Sequence, residues 1–360
     1  MLQITKPMSN SKNRIKDIAK LAGVSVGTVD RVLHERGKVS EVAMKKVQDA
    51  LEKINYEPNL LARTLGTKKK HQIAVLIPNA ESDEYWLQSK EGVEQAASEW
   101  AQYDFQIAYY FFDLSDKRSF NQVAEAVYQA QPDGILVSPI FYQETLPFLA
   151  FFKNKSVPYV LFNTNIPEVR AISFIGQNLY ESGKVGGELA SLGHQGYGTF
   201  AVLHIHEEIQ NSVHLIEKEK GFRAYFEENH PGRILVKSLS LSSSQEDGIT
   251  ELLADPDLNG ILVTTSKGIS MIAALLEKSG RKGIKLVGYD LLENNIAYLK
   301  TGTIDFLIHQ NPRRQAYLGI NYLANHLLLK KVPPSEVLFP LEIITPQNVN
   351  SYLNYILKIY

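Results

Sequence analysis

Apolar positions along this chain follow two different periods, and the change of period divides it. Between residues 14 and 65 the spacing is helical. Ile15, Ile18, Ala19 and Ala22 fall on one face of a first short helix. Gly23 follows, where a sharp turn needs a positive φ. Ser25 can N-cap a second helix, Val26–Leu33. Ser40 caps a third, whose Ala43, Val47, Leu51 and Ile54 form one stripe. A small residue at Ala19, a turn glycine at Gly23 and a core-facing Val29 predict a helix-turn-helix. A plain three-helix bundle that binds a protein is the alternative.

From Gln72 onward, strand-like runs alternate with helical ones. IAVLIP (73–78), FQIAYYFF (105–112), GILVSP (134–139) and PYVLFN (158–163) form one series. TFAVLHI (199–205), GILVTT (260–265) and IKLVGYD (284–290) restart it. Strand–helix alternation builds mostly parallel sheets from βαβ units. The expected fold is therefore an all-α helix-turn-helix head followed by an α/β body of two doubly wound, Rossmann-like lobes. We expect a loose N-terminus over 1–13, a head over 14–58, a connector over 59–71 and the body over 72–360.

Charge sharpens this division. The net charge of −1 conceals a head with 15 Lys/Arg against 7 Asp/Glu over residues 1–70, a balance of +8, and a body at −9. A basic head on an acidic body implies a polyanionic partner for the head alone. With no cysteine, disulfides and thiolate metal sites are excluded. The start, MLQITKPMSNSK, has no apolar core of a secretory signal. No apolar run approaches the roughly 18 residues of a membrane span. These features predict a soluble, cytoplasmic protein without a membrane partner.

The motifs IKDIAKLAGVS, TVDRVL, VS and INYEPNLLARTL, in this order and spacing, resemble the lactose-repressor/galactose-repressor (LacI/GalR) family of bacterial transcription regulators. The resemblance extends through the chain from about residue 14. It implies that the second helix enters the major groove, where base edges differ. Val26, Gly27 and Arg31 occupy the reading positions, with Arg31 suited to bidentate contact with guanine. Val26 and Gly27 depart from the polar or aromatic residues often found there, and Asp30 stands where a small hydroxyl residue is common. Thr28, Ser40 and Asn59 match positions that contact backbone phosphate. Ser25 and Ser40 can serve as helix caps only, or as both cap and phosphate site, since a helix N-terminus can hold a phosphate. By the same resemblance, 59–66 is a hinge helix that forms on a palindromic operator. There Leu65 wedges into the minor groove and Ala62 allows close approach.

The resemblance further implies a type I periplasmic-binding-protein body whose chain crosses between lobes near Gly176, Gln310 and Ile344. That gives an N-lobe of about 72–176 and 310–343 and a C-lobe of about 177–309 and 344–360. Ligands of doubly wound sheets bind at the carboxyl ends of the strands, which selects residues without appeal to family. Tyr85 and Trp86 follow the first strand and can offer an aromatic face to a sugar, or pack in the core. Asn163 ends its strand. Asp290 ends LVGYD, where a carboxylate can accept from two hydroxyls, and Gln310 sits at the second crossing. Asp290 and Gln310 also match effector positions of the fold, a buried structural hydrogen bond being the alternative for each. Asn211 is a further pocket candidate. Lys218 stands where the family often has arginine, and Thr265-Ser266 replaces a common Asn-Asp pair, so the pocket departs from that of the best-known members.

HIHEE (204–208) with His214 suggests a metal, but its spacing fits no standard ligand set, and neither metal nor cofactor is expected. No phosphate loop, nucleophile elbow or acid pair marks an enzyme. The terminal VNSYLNYILKIY is too short for a tetramerising coiled coil, so a homodimer is expected. The reading is a repressor that binds double-stranded palindromic DNA and a small carbohydrate effector. The rival is a solute-binding protein that delivers a sugar to a transporter or sensor.

Overall fold

A computed structural model describes residues 15–33, 37–54, 70–205, 211–241 and 246–359. The chain forms two compact units, residues 1–67 and 68–360.

In the first unit, α1 (Ile15–Ala22), α2 (Val26–Leu33) and α3 (Glu41–Lys53) enclose a small core of Ile18, Ala19, Ala22, Val29, Val47 and Ala50. Gly23 takes φ +64°, and the Val24 amide donates back to the Ala19 carbonyl, which closes α1 and redirects the chain. The Ser25 hydroxyl accepts from the Thr28 amide, and Ser40 accepts from Ala43. Both serines therefore cap helices, as their positions predict. The hinge residues Asn59, Ala62 and Leu65 lie outside the described residues.

The second unit holds two six-stranded sheets. In the N-lobe, β1 (His71–Pro78), β2 (Phe105–Phe112), β3 (Gly134–Val137), β4 (Tyr159–Asn163), β5 (Ser173–Gly176) and β11 (Glu336–Leu338) run parallel in the order β11-β5-β4-β3-β1-β2. Around them stand α4 (Glu84–Trp100), α5 (Lys117–Ala130), α6 (Tyr142–Asn154) and α12 (Pro312–Leu329). In the C-lobe, β6 (Gly198–Ile205), β7 (Ile234–Leu241), β8 (Leu258–Val263), β9 (Lys285–Tyr289), β10 (Phe306–His309) and β12 (Glu342–Ile344) lie in the order β12-β10-β9-β8-β6-β7, with only β12 antiparallel. Its helices are α7 (Leu179–Ala190), α8 (Val213–Asn229), α9 (Glu246–Ala254), α10 (Gly268–Ser279), α11 (Glu293–Thr301) and α13 (Val349–Ile359).

Strand membership places the first two lobe crossings at 177–178 and 310–311. The third falls at 339–341, a few residues before Ile344, because Glu342 and Ile343 already pair with β10. Gln177 ties the three together: its Nε2 donates to the His309 carbonyl at 2.9 Å and to the Pro340 carbonyl at 2.8 Å. Within the C-lobe, Gly183 and Gly221 let α7 and α8 touch backbone to backbone. A Cβ on Gly183 would overlap the Lys218 carbonyl, and one on Gly221 the Tyr180 carbonyl. That contact fixes the depth at which Lys218 enters the lobe.

Candidate functional site

Sheet order locates the site before any side chain is considered. Strand order reverses between β1 and β3 in one lobe and between β6 and β8 in the other. Crevices form outside the carboxyl ends at such points. Both open onto one cavity of about 720 Å³, bounded by Pro78–Asp83 and Ile140 on one side and by Ile205 and Thr264–Lys267 on the other.

Tyr85, Trp86, Asn163, Lys218, Thr265 and Gln310 all reach this wall. Tyr85 and Trp86 are almost wholly buried, in an edge-to-face pair at 4.9 Å, and Trp86 meets Phe162 in the same way. Core packing and cavity lining are thus both true of Trp86. Asn163 sits at φ +68°, donating through Nδ2 to the Tyr85 hydroxyl and accepting from Thr164. Lys218 is 2% exposed, with Nζ 3.0 Å from the Thr264 carbonyl and 3.6 Å from the centre of the Tyr289 ring. Its amine is buried between a carbonyl and an aromatic face rather than lying on the surface.

Two expected wall residues lie elsewhere. Asp290 is fully buried one layer behind the wall, at φ +63°. Its carboxylate accepts from the Gln310 amide at 2.8 Å, Gln310 Nε2 at 2.6 Å and Ser266 Oγ at 2.5 Å, with His309 Nδ1 at 3.3 Å. Burial alone would raise this carboxyl. The hydrogen bond and charge of His309, then Ser266 and the Gln310 amide, outweigh burial and hold it below the usual carboxylate range. Asp290 therefore orients Ser266 and Gln310, which do line the cavity. Asn211 is buried and is not among the wall residues. It accepts from the Gln143 amide and donates to Glu144 of the opposite lobe.

Asn211 is one of several bonds that join the lobes. Across the cleft Lys267 donates to the Ser82 carbonyl, Gln88 to the Leu291 carbonyl, and the Glu293 amide to both oxygens of Glu84, at 3.0 Å each. The Glu84 carboxylate thus caps the start of α11 from the facing lobe.

Sequence reasoning missed Asp83, Asp113, Phe111, His214 and Lys267, all on the wall, where Ser266 also stands beside Thr265. Applying the carboxyl-end rule to every strand would have found Asp83, Asp113 and Lys267, which follow β1, β2 and β8. His204 has a structural partner set: Nε2 lies 2.8 Å from Glu219 Oε2 and Nδ1 2.9 Å from Thr264 Oγ1. Among the described residues no cluster of three His, Asp or Glu side chains is placed to hold a metal. Nor is any helix among them long and apolar enough to cross a membrane.

On the first unit, Val26, Gly27 and Arg31 share the exposed side of α2, opposite buried Val29. Val26 is 45% exposed, so its side chain is open to solvent on this face. Arg31 Nε donates to the Gly27 carbonyl at 3.1 Å, and Thr28 shares a hydroxyl hydrogen bond with Ser25 at 2.8 Å.

Residues 14–59 match bacterial regulatory proteins of the lacI family, and residues 73–331 match the periplasmic binding protein domain. The chain belongs to the LacI family. The LacI-family relatives include the transcriptional regulator MalR of Streptococcus pneumoniae, 31% identical over 42% of this chain and 46% of that one. The match thus spans about half of MalR. The ribose operon repressor of Halalkalibacterium halodurans is 26% identical over 77% of this chain and 80% of its own. Among solved structures, a LacI transcriptional regulator from Bacteroides fragilis aligns with a TM-score of 0.74 at 28% identity, covering 79% of this chain and 100% of that one. The body has the two-lobed periplasmic-binding-protein fold of LacI regulators.

Proposed function

We propose that this LacI-family chain is a sequence-specific DNA-binding transcriptional repressor, cytoplasmic and homodimeric. In this reading Val26, Gly27 and Arg31 read a palindromic operator, and the inter-lobe cleft binds a small polar effector of the sugar class. One observation carries the proposal: a helix-turn-helix with an exposed apolar-and-arginine face shares a chain with a body whose two strand-order reversals open onto one cavity. The relative named as a ribose operon repressor supports a sugar. A transport binding protein has no use for the head, which disfavours the rival.

Selection of bound sequences from random duplexes tests the proposal. A two-fold symmetric site should emerge, with affinity that falls steeply as salt rises. Arg31→Ala should cost about 1–3 kcal/mol on that site and relax one base position in each half-site. Recovery of no preferred sequence would overturn the reading.

A further inference from the structure

The charged side chains of the cleft are unevenly placed, with Asp83 and Asp113 on the N-lobe wall. On the N-lobe side, α4 and α5 carry their own carboxylate caps, Asp83 accepting from the Tyr85 amide and Asp116 from the Arg118 amide, while α6 has no side-chain cap. On the C-lobe side, α8 and α10 begin at Ser212 and Lys267, neither of which makes a side-chain capping bond. First-turn amides left without an acceptor present partial positive charge. His214, Lys218 and Lys267 stand on the same wall.

A second, independent observation marks the start of α10. Thr265 is 7% exposed and lines the cavity, yet its buried Oγ1 has no hydrogen-bond partner among the described residues. The hydroxyl lies at the mouth of the helix, since a Cβ on Gly268, the first residue of α10, would come within 2.5 Å of it. A buried donor without an acceptor is costly and calls for one. Beside it, Lys218 is fixed in depth by the α7–α8 contact, so its charge needs no rearrangement to serve.

We propose that the cleft takes an acidic polyol, a sugar acid or a sugar phosphate, whose anionic group seats at the N-terminus of α10. There it accepts from the Thr265 hydroxyl and the first-turn amides, with Lys218 as a fixed positive charge. The ligand's hydroxyls then face the N-lobe wall, where Asn163 and Gln310 supply polar atoms. This inference rests on the reading of the cleft as an effector site.

The test uses the full chain, melted and titrated calorimetrically with gluconate, glucuronate and a hexose monophosphate. Glucose, sorbitol and inorganic phosphate serve as counterparts. At least one acidic polyol should raise the melting temperature where its neutral counterpart does not; the carboxylate and phosphate arms separate the two headgroups. Thr265→Val should weaken the responding acid about tenfold, and Thr265→Ser should restore it. Equal or stronger stabilisation by the neutral sugars would overturn the anion seat while leaving the effector reading intact. A response to inorganic phosphate as large as to the acids, indifferent to Thr265→Val, would also overturn it. So would silence from every acid, in which case operator release assays judge the effector reading separately.

Discussion

Asp290 shapes the cavity wall from behind it. Its carboxylate takes up two donors of Gln310 and the Ser266 hydroxyl, so the wall inherits its geometry from a group behind it. Asp290→Ala leaves those donors unmatched and should destabilise the chain by about 3 kcal/mol, read in denaturant melts, while effector affinity falls more steeply than operator affinity. Glu219 carries the clearest dependence on pH. The hydrogen bond with His204 outweighs burial, Arg223 adds to it, and the carboxyl is held down to about 2 from an ordinary 4.5. A depressed folded value means that the stabilisation is complete above about pH 4.5 and is lost as pH falls toward 2. Melting curves of Glu219→Gln across that window should therefore be flatter than those of the unsubstituted chain. A parallel acid limb in both would place the titration elsewhere.

At the scale of elements, the α7–α8 contact is the most exacting. Gly221→Ala sets a methyl group against backbone rather than a movable side chain, and should cost about 1–3 kcal/mol, visible as a lower denaturation midpoint. The elements that were legible in sequence share a trait. β1, β2, β4, β6 and β8 are five to eight residues long, and each contains a run of at least three consecutive apolar residues. Those missed are an edge strand and four short ones, among them β10 with only four residues. β7 is an edge strand half open to solvent, with Lys237, Ser238 and Ser240 interrupting its apolar positions, and β5, β11 and β12 are only three or four residues long. The same logic applies to the site. Tyr85, Asn163 and Thr265 were found because each closely follows or ends a visible strand. Asp290 was also found, but its layer could not be: sequence places the residue at a strand end, whereas its hydrogen bonds to Gln310 and Ser266 hold the carboxylate behind the wall. Asn211 misled for a related reason. A polar loop residue beside a cleft can serve a ligand or the opposite lobe, and only the position of Glu144 and Gln143 decides.

For the whole molecule, regulation requires that the cleft and the DNA-reading face exchange free energy, whatever the effector. Coupling of this kind is reciprocal. If a cleft ligand weakens operator binding by some factor, operator must weaken the binding of that ligand by the same factor. Paired titrations, each carried out with and without the other partner at saturation, should yield equal ratios that differ from one; a cleft ligand that leaves operator affinity unchanged at saturation would show that the cleft does not regulate.

The third lobe crossing has a consequence for how the protein is made. One short stretch, 336–344, supplies an edge strand to each sheet in turn, β11 to the N-lobe and β12 to the C-lobe. A ribosome delivers strands in order, so both sheets stay one strand short until that stretch emerges. The three-helix head closes its core within residues 15–54, long before either lobe is complete. Nascent chains halted at residue 335 should therefore resist protease in the head while both lobes are digested together, since neither lobe can finish folding ahead of the other.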